Sequence, residues 1–271
     1  MTSMNESVLK YLREQSFLTK ERLTAHFSAE VEEFSLLLSM MMRTLQHYHA
    51  QNPAHDFTDA KAIAFRLMTK SASTLTAAFE LTLSGYLWEP PALLRNALEG
   101  FAVGWDVVHN KDRLDIWNAD KKFDSSDSIS NAKLVVSYIG KMYGHMSNMN
   151  VHTKPLNSWP SMLATESGAE FQFFGQTPPG KEAIRKGEIY SALIDAHICL
   201  NLTELVFHNY SPMLETIEKI PGTDTVRFKA TSTRKSGELD ESAWHDILRN
   251  VTVPYSHASA AQMGMLKKAC A

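Results

Sequence analysis

Cysteine is scarce: two residues, Cys199 and Cys270, in a chain of 271. That is too few for a disulfide framework, and no Cys-x-x-Cys pair offers a thiolate metal site. Charge of one sign is lacking too. Lys and Arg number 27 against 30 Asp and Glu, a formal net charge of -3. This balance leaves no electrostatic footprint for DNA, because phosphate binding rests on a concentrated positive face. No uninterrupted apolar run reaches the roughly 18 residues that span a bilayer. The opening "MTSMNESVLKYLREQ" lacks a basic segment followed by an apolar one, so no secretory leader is expected and the expected location is cytoplasmic. Glycine-rich phosphate loops, G-x-S-x-G and H-E-x-x-H are all missing, so neither a cofactor nor a metal is expected.

Hydrophobic residues make up 44% of the chain and charged residues 21%, a composition that builds an ordinary globular core. Periodicity places it mostly on helices. Residues 5–15 form a short helix. A long one over 19–50 is opened by Thr19 and carries Val31, Phe34, Leu37, Leu38, Met41, Leu45 and Tyr48 on one stripe. Asp59 or Thr58 caps a second long helix running to about Leu87. "WEPP" ends it and starts a third, 90–110, since proline is tolerated in a first helical turn and not inside. Its Leu94, Leu98, Phe101, Trp105 and Val108 form a seam. After a short turn at 112–118 and the polar capping signal "DSSDS", a fourth long helix covers 129–150. Beyond Pro155, "SMLATESGAEFQFFGQTPPG" reads as two short strands around Ser167-Gly168. A fifth helix spans 181–210, a third strand covers 226–230, and short helices cover 239–250 and 257–269.

The expected fold is therefore mainly α, a bundle of four to five long helices with a small two- to three-stranded β element in the second half. Residues 1–155 make the bundle. Residues 156–271 add the β element and helices that complete the same single domain.

Gly100 and Gly104 lie four apart in the third helix, as do Gly140 and Gly144 in the fourth. Each costs about 1 kcal/mol relative to alanine inside a helix. Close approach, of one helix to the other or to a large aromatic, is the reason this pattern offers. Arg95 and Glu99 form an i,i+4 pair among leucines. Such a pair can hold a neighbouring helix or bind an anion.

The segment "LSGYLWEPPALLRNALEGFAVGWDVV", followed by a helix ending "YGHMSNMNVHTKP", resembles a group of uncharacterised bacterial helical-bundle proteins related to the HEPN superfamily. The resemblance covers roughly residues 60–155. It implies a four-helix bundle, commonly a homodimer, in a defence or stress system. Some members are metal-independent ribonucleases. In those, an Arg and a following His with four to six residues between them act on RNA: the imidazole moves the proton and the guanidinium stabilises the phosphorane charge. Here only Arg43…His49 has that spacing. It lies outside the resembling segment, and chance alone supplies about one such match.

Histidines do not make a metal site either. His47 and His49 point to opposite sides of a helix. His145 and His152 share a face but stand about 10.5 Å apart along the axis, too far for one ion. The expected function is thus a HEPN-like binding or interaction module, with RNA or protein as partner. The alternative is a metal-independent endoribonuclease acting in a dimer cleft. Catalytic candidates are His145, His152, Arg95 and Glu99. Tyr143, Ser147 and Trp105 are ligand-binding candidates, and a small-molecule pocket between helices would be lined by Trp105, Tyr143 and His145.

Overall fold

A computed structural model describes residues 2–150 except 55 and 57, residues 177–207, and five strand segments between 162 and 254. Side chains are described over 9–147, again without 55 and 57, and over 177–207. The expected helices at 239–250 and 257–269 lie outside the described residues, as does His152.

The first helix does not end where the sequence pattern stops it. α1 runs over Thr2–His26 and α2 over Ser28–Gln51. Thr19 is buried inside α1 rather than capping a new helix. No glycine or proline precedes Pro53, so nothing breaks the chain at 16–18. The break falls at Phe27, which leaves helical geometry (φ -108°, ψ 37°) while its ring is buried.

α3 (Ala60–Leu83) starts at Asp59, whose side chain accepts from the Ala62 amide at 2.9 Å. It stops four residues earlier than the periodicity implied. Gly85 takes φ +85°, and the Tyr86 amide reaches back to the Leu81 carbonyl at 3.0 Å, which closes the helix in a Schellman turn. α4 (Glu89–His109) then begins with Pro90 and Pro91 in its first turn, as "WEPP" foretold.

α4 is the central element. It packs most extensively on α3, and also touches α5 (Lys111–Asn118), α6 (Ser125–Ala132), α7 (Ile139–Asn150) and α8 (Lys186–Phe207). The expected single helix 129–150 is in fact two. α6 covers Ser125–Ala132, capped by Asp124, which accepts from the Ser126 amide at 2.9 Å. α7 covers Ile139–Asn150, after a turn at 133–138. The capping signal in "DSSDS" thus starts a short helix, and Val135 and Val136 in the intervening turn are buried with it.

α8 (Lys186–Phe207) follows a 3₁₀ turn at Glu182–Arg185. By length and composition it is apolar enough to cross a membrane, but 83% of its apolar window is buried within the bundle, against α2, α3 and α4. A helix apolar on all sides is the expected core rod of such a bundle. Phe34 stacks on Phe79 (3.9 Å between centroids), and Tyr48 meets Phe207 at 4.8 Å.

Among the residues with described side chains there is no strand, so the β element expected in the second half is not seen there. Beyond them, backbone alone pairs antiparallel. β1 (Met162–Thr165) lies beside β2 (Gly168–Phe171), and β3 (Leu214–Lys219) and β5 (Val253–Pro254) flank β4 (Thr225–Ala230).

The paired glycines separate into two kinds. A Cβ on Gly100 would fall 1.9 Å from Ser71 Oγ, and one on Gly104 would fall 3.1 Å from the Met68 side chain and 3.5 Å from Ala64 Cα. These two glycines admit α3. They do not face the later helix. Gly144 has open space, and Gly140 meets only the flexible stem of Lys133. Close approach therefore explains one pair and not the other.

Candidate functional site

Arg95 and Glu99 sit on the face of α4 that meets α7. The i,i+4 spacing brings Arg95 Nε to Glu99 Oε1 at 3.1 Å. Tyr143 of α7 closes the figure. Its hydroxyl accepts from Arg95 Nη2 (2.8 Å) and donates to Glu99 Oε1 (2.9 Å), while the guanidinium carbon lies 4.8 Å from the ring centroid. The three groups form a closed triangle between two helices, with the Arg95 and Glu99 side chains 26% and 21% exposed.

Electrostatics keep Arg95 and Tyr143 protonated. Burial by itself lowers the Arg95 guanidinium, but the hydrogen bonds and charges of Tyr143 and Glu99 outweigh it and hold Arg95 above its ordinary value. Burial, then the Glu99 carboxylate it donates to, push the Tyr143 phenol up. Tyr143 is therefore a neutral donor, not a nucleophile, near neutral pH.

The remaining sequence candidates go elsewhere. Ser147 donates to the Tyr143 carbonyl at 2.8 Å, a bond within its own helix. His145 is exposed, because α7 turns Met142 and Met146 inward instead. Trp105 is a core residue stacked on His109 (centroids 4.9 Å apart), so the expected grouping of Trp105 with Tyr143 and His145 is not the arrangement found. Of the RNase-spaced pair on α2, His49 stacks on Phe65 at 5.5 Å. Cys199 is buried in α8, where burial pushes its thiol up. Among the described residues no three His, Cys, Asp or Glu side chains converge as a metal site would require.

Two polar groupings escaped the sequence reading. The first joins α4, α5 and α6. Asp106, fully buried, accepts from Arg113 Nε (2.9 Å), Ser128 Oγ (2.7 Å) and Asn131 Nδ2 (3.0 Å). Arg113 Nη2 also donates to the Asp124 carbonyl at 2.6 Å, and the guanidinium covers the Phe123 ring at 3.9 Å. The signal was a lone carboxylate inside "VGWDVV". Its partner lies seven residues on, in another helix, so no helical spacing points to it. The second runs along α8. His197 meets Glu33 at 2.9 Å and Glu204 accepts from Thr44 at 3.0 Å, whereas neither Asp195 oxygen has a hydrogen-bond partner. Burial pushes the Asp195 carboxyl well above the usual carboxylate range.

His145 does line a cavity, of about 380 Å³. Leu87, Trp88, Pro90, Pro91 and Leu94 form one wall, Met146 and His145 a second, and Ile184, Gly187, Glu188 and Ser191 the third. The indole is Trp88, from the α3–α4 corner. Leu94 belongs to α4 and Met146 to α7, so the cavity shares two of its walls with the helices that carry the triangle. That volume lies within the range of small-molecule sites. No family model, curated protein or solved structure matches the chain.

Proposed function

We propose that the chain is a helical binding module of HEPN-like build, working as a cytoplasmic homodimer in a defence or stress system, with a small β element appended in its second half. One observation carries the binding reading: an apolar cavity of about 380 Å³ with His145 and Glu188 among its lining residues, walled in part by α4, the helix whose arginine is already engaged by Glu99 and Tyr143. Largely apolar walls with a few convergent polar groups are the general form of a ligand site. An arginine that must stabilise a phosphorane needs donors free to face it, and here the Nε and Nη2 donors of Arg95 are spent on holding two helices together.

A second reading, metal-independent cleavage of RNA in a dimer cleft, draws on Arg95 being a quarter exposed and firmly charged beside a helix that also carries His145. Purified protein incubated with total RNA, in EDTA and in Mg²⁺, separates the two. The binding reading expects intact RNA in both, and a raised Tm with at least one class in a small-molecule thermal-shift screen. RNA cleavage that disappears in Arg95→Ala, His145→Ala or His152→Ala would install the nuclease instead.

A further inference from the structure

We infer that the cleft between the α3–α4 corner, α7 and the start of α8 is a binding site for a small aromatic amine in its protonated form, its ring against Trp88 and its ammonium at Glu188. This rests on the binding reading above and gives its ligand a class.

Three features of the cleft select that chemistry. Its shape is preset. Pro90 and Pro91 fix the backbone of the Trp88 wall in the first turn of α4, so the wall does not have to be ordered when a ligand arrives. Its size suits a ring system: about 380 Å³ is at the small end for ligand sites, and a polynucleotide or an extended peptide would not be enclosed. Its fixed charge has one sign. Among the described residues Glu188 is the only carboxylate in the lining, no lysine or arginine lines it, and the one imidazole is His145.

Arg185, the ion-pair partner of Glu188 at 4.0 Å, is 3% exposed and donates from Nε to Thr177 Oγ1 at 2.9 Å. It is not among the lining residues. Lys186, the neighbouring cation, lies over the Tyr190 ring at 5.4 Å. An anionic ligand would meet the Glu188 carboxylate. A cationic one gains a charge-assisted hydrogen bond there and the face of a part-exposed indole. Gly187 leaves the entrance open, for a Cβ there meets nothing within 4 Å.

Titration calorimetry of the full chain with three indoles of similar shape tests this: tryptamine, neutral 3-ethylindole and indole-3-propionate. Tryptamine is expected to bind about tenfold tighter than 3-ethylindole, the scale of one charge-assisted hydrogen bond, with the carboxylate weakest. Glu188→Gln is expected to bring tryptamine down to the level of 3-ethylindole. Gly187→Leu is expected to abolish binding of all three without lowering the Tm, since the position is unobstructed and leucine is the better helix former. If indole-3-propionate binds as well as tryptamine, or Glu188→Gln changes nothing, the amine assignment is wrong. Loss of binding in Gly187→Leu would in that case still leave the cleft a ligand site. If none of the three binds, the aromatic class is wrong as well, and the thermal-shift screen alone then decides the binding reading.

Discussion

α4 carries two arginine–carboxylate clusters, and they differ mainly in burial. At its N-terminal half, Arg95, Glu99 and Tyr143 hold α7 with about a quarter of the arginine exposed. At its C-terminal half, Asp106 is 1% exposed in its side chain and Arg113 10%, and the Asp106 bonds to Arg113, Ser128 and Asn131 each cross to another helix. A buried carboxylate stranded without its partner has no water to turn to, whereas a part-exposed one rehydrates. The same two residue types thus make an obligatory joint at one end of a helix and a replaceable clasp at the other. The replaceable clasp joins α4 and α7, two of the helices that line the cavity.

The contrast breaks most visibly through the buried cluster. Arg113→Ala leaves the buried Asp106 charge with only the neutral donors Ser128 and Asn131 and is expected to cost about 3–5 kcal/mol, whereas Arg95→Ala costs about 1 kcal/mol or less. Urea denaturation followed by circular dichroism measures both, and equal losses would refute the distinction.

Packing on α4 and α7 gives the next largest effect. Gly100→Ala pushes a methyl toward Ser71 and is expected to destabilise by about 1–3 kcal/mol, partly recovered in a Ser71→Gly background. Gly144→Ala meets nothing and is expected to stabilise by up to about 1 kcal/mol. The opposite signs, read from thermal melts, test the claim that α4 is clamped on α3 while this face of α7 stays open.

Tyr143→Phe is the smallest change. It removes the bridge between α4 and α7 and is expected to cost about 0.5–1.5 kcal/mol at pH 8. The Tyr143 phenol is raised in the folded state. Its contribution is thus complete below the unfolded value of about 10 and is lost as pH rises through the higher folded value. The stability gap between parent and variant should therefore narrow above pH 10. A gap that widens there would mean that the ionised phenol is preferred in the fold.

Legibility in the sequence followed the range of the interactions. Asp59 was readable as a cap and "WEPP" as a helix junction, because capping and proline geometry act within four residues. The Arg95–Glu99 pair was readable because helical spacing fixes it. Tyr143 lay in the quoted helix ending "YGHMSNMNVHTKP", yet its meeting with Arg95 spans 48 residues and two intervening helices. Thr19 misled because a good cap residue starts a helix only where something has ended the previous one. The interruption at 133–138 was invisible because buried Val135 and Val136 satisfy a helical stripe as well as they satisfy a turn.

By itself, then, the sequence determined a mainly helical chain, its caps and proline junction, and an Arg–Glu pair on one helix, since these depend on neighbours along the chain. Only the tertiary structure decided that the glycines of α4 meet α3, that Asp106 depends on Arg113, and that His145 borders a cavity with Trp88 rather than Trp105. Those outcomes depend on which helix faces which, and burial of apolar surface, being non-directional, leaves that choice to the packing of the whole bundle.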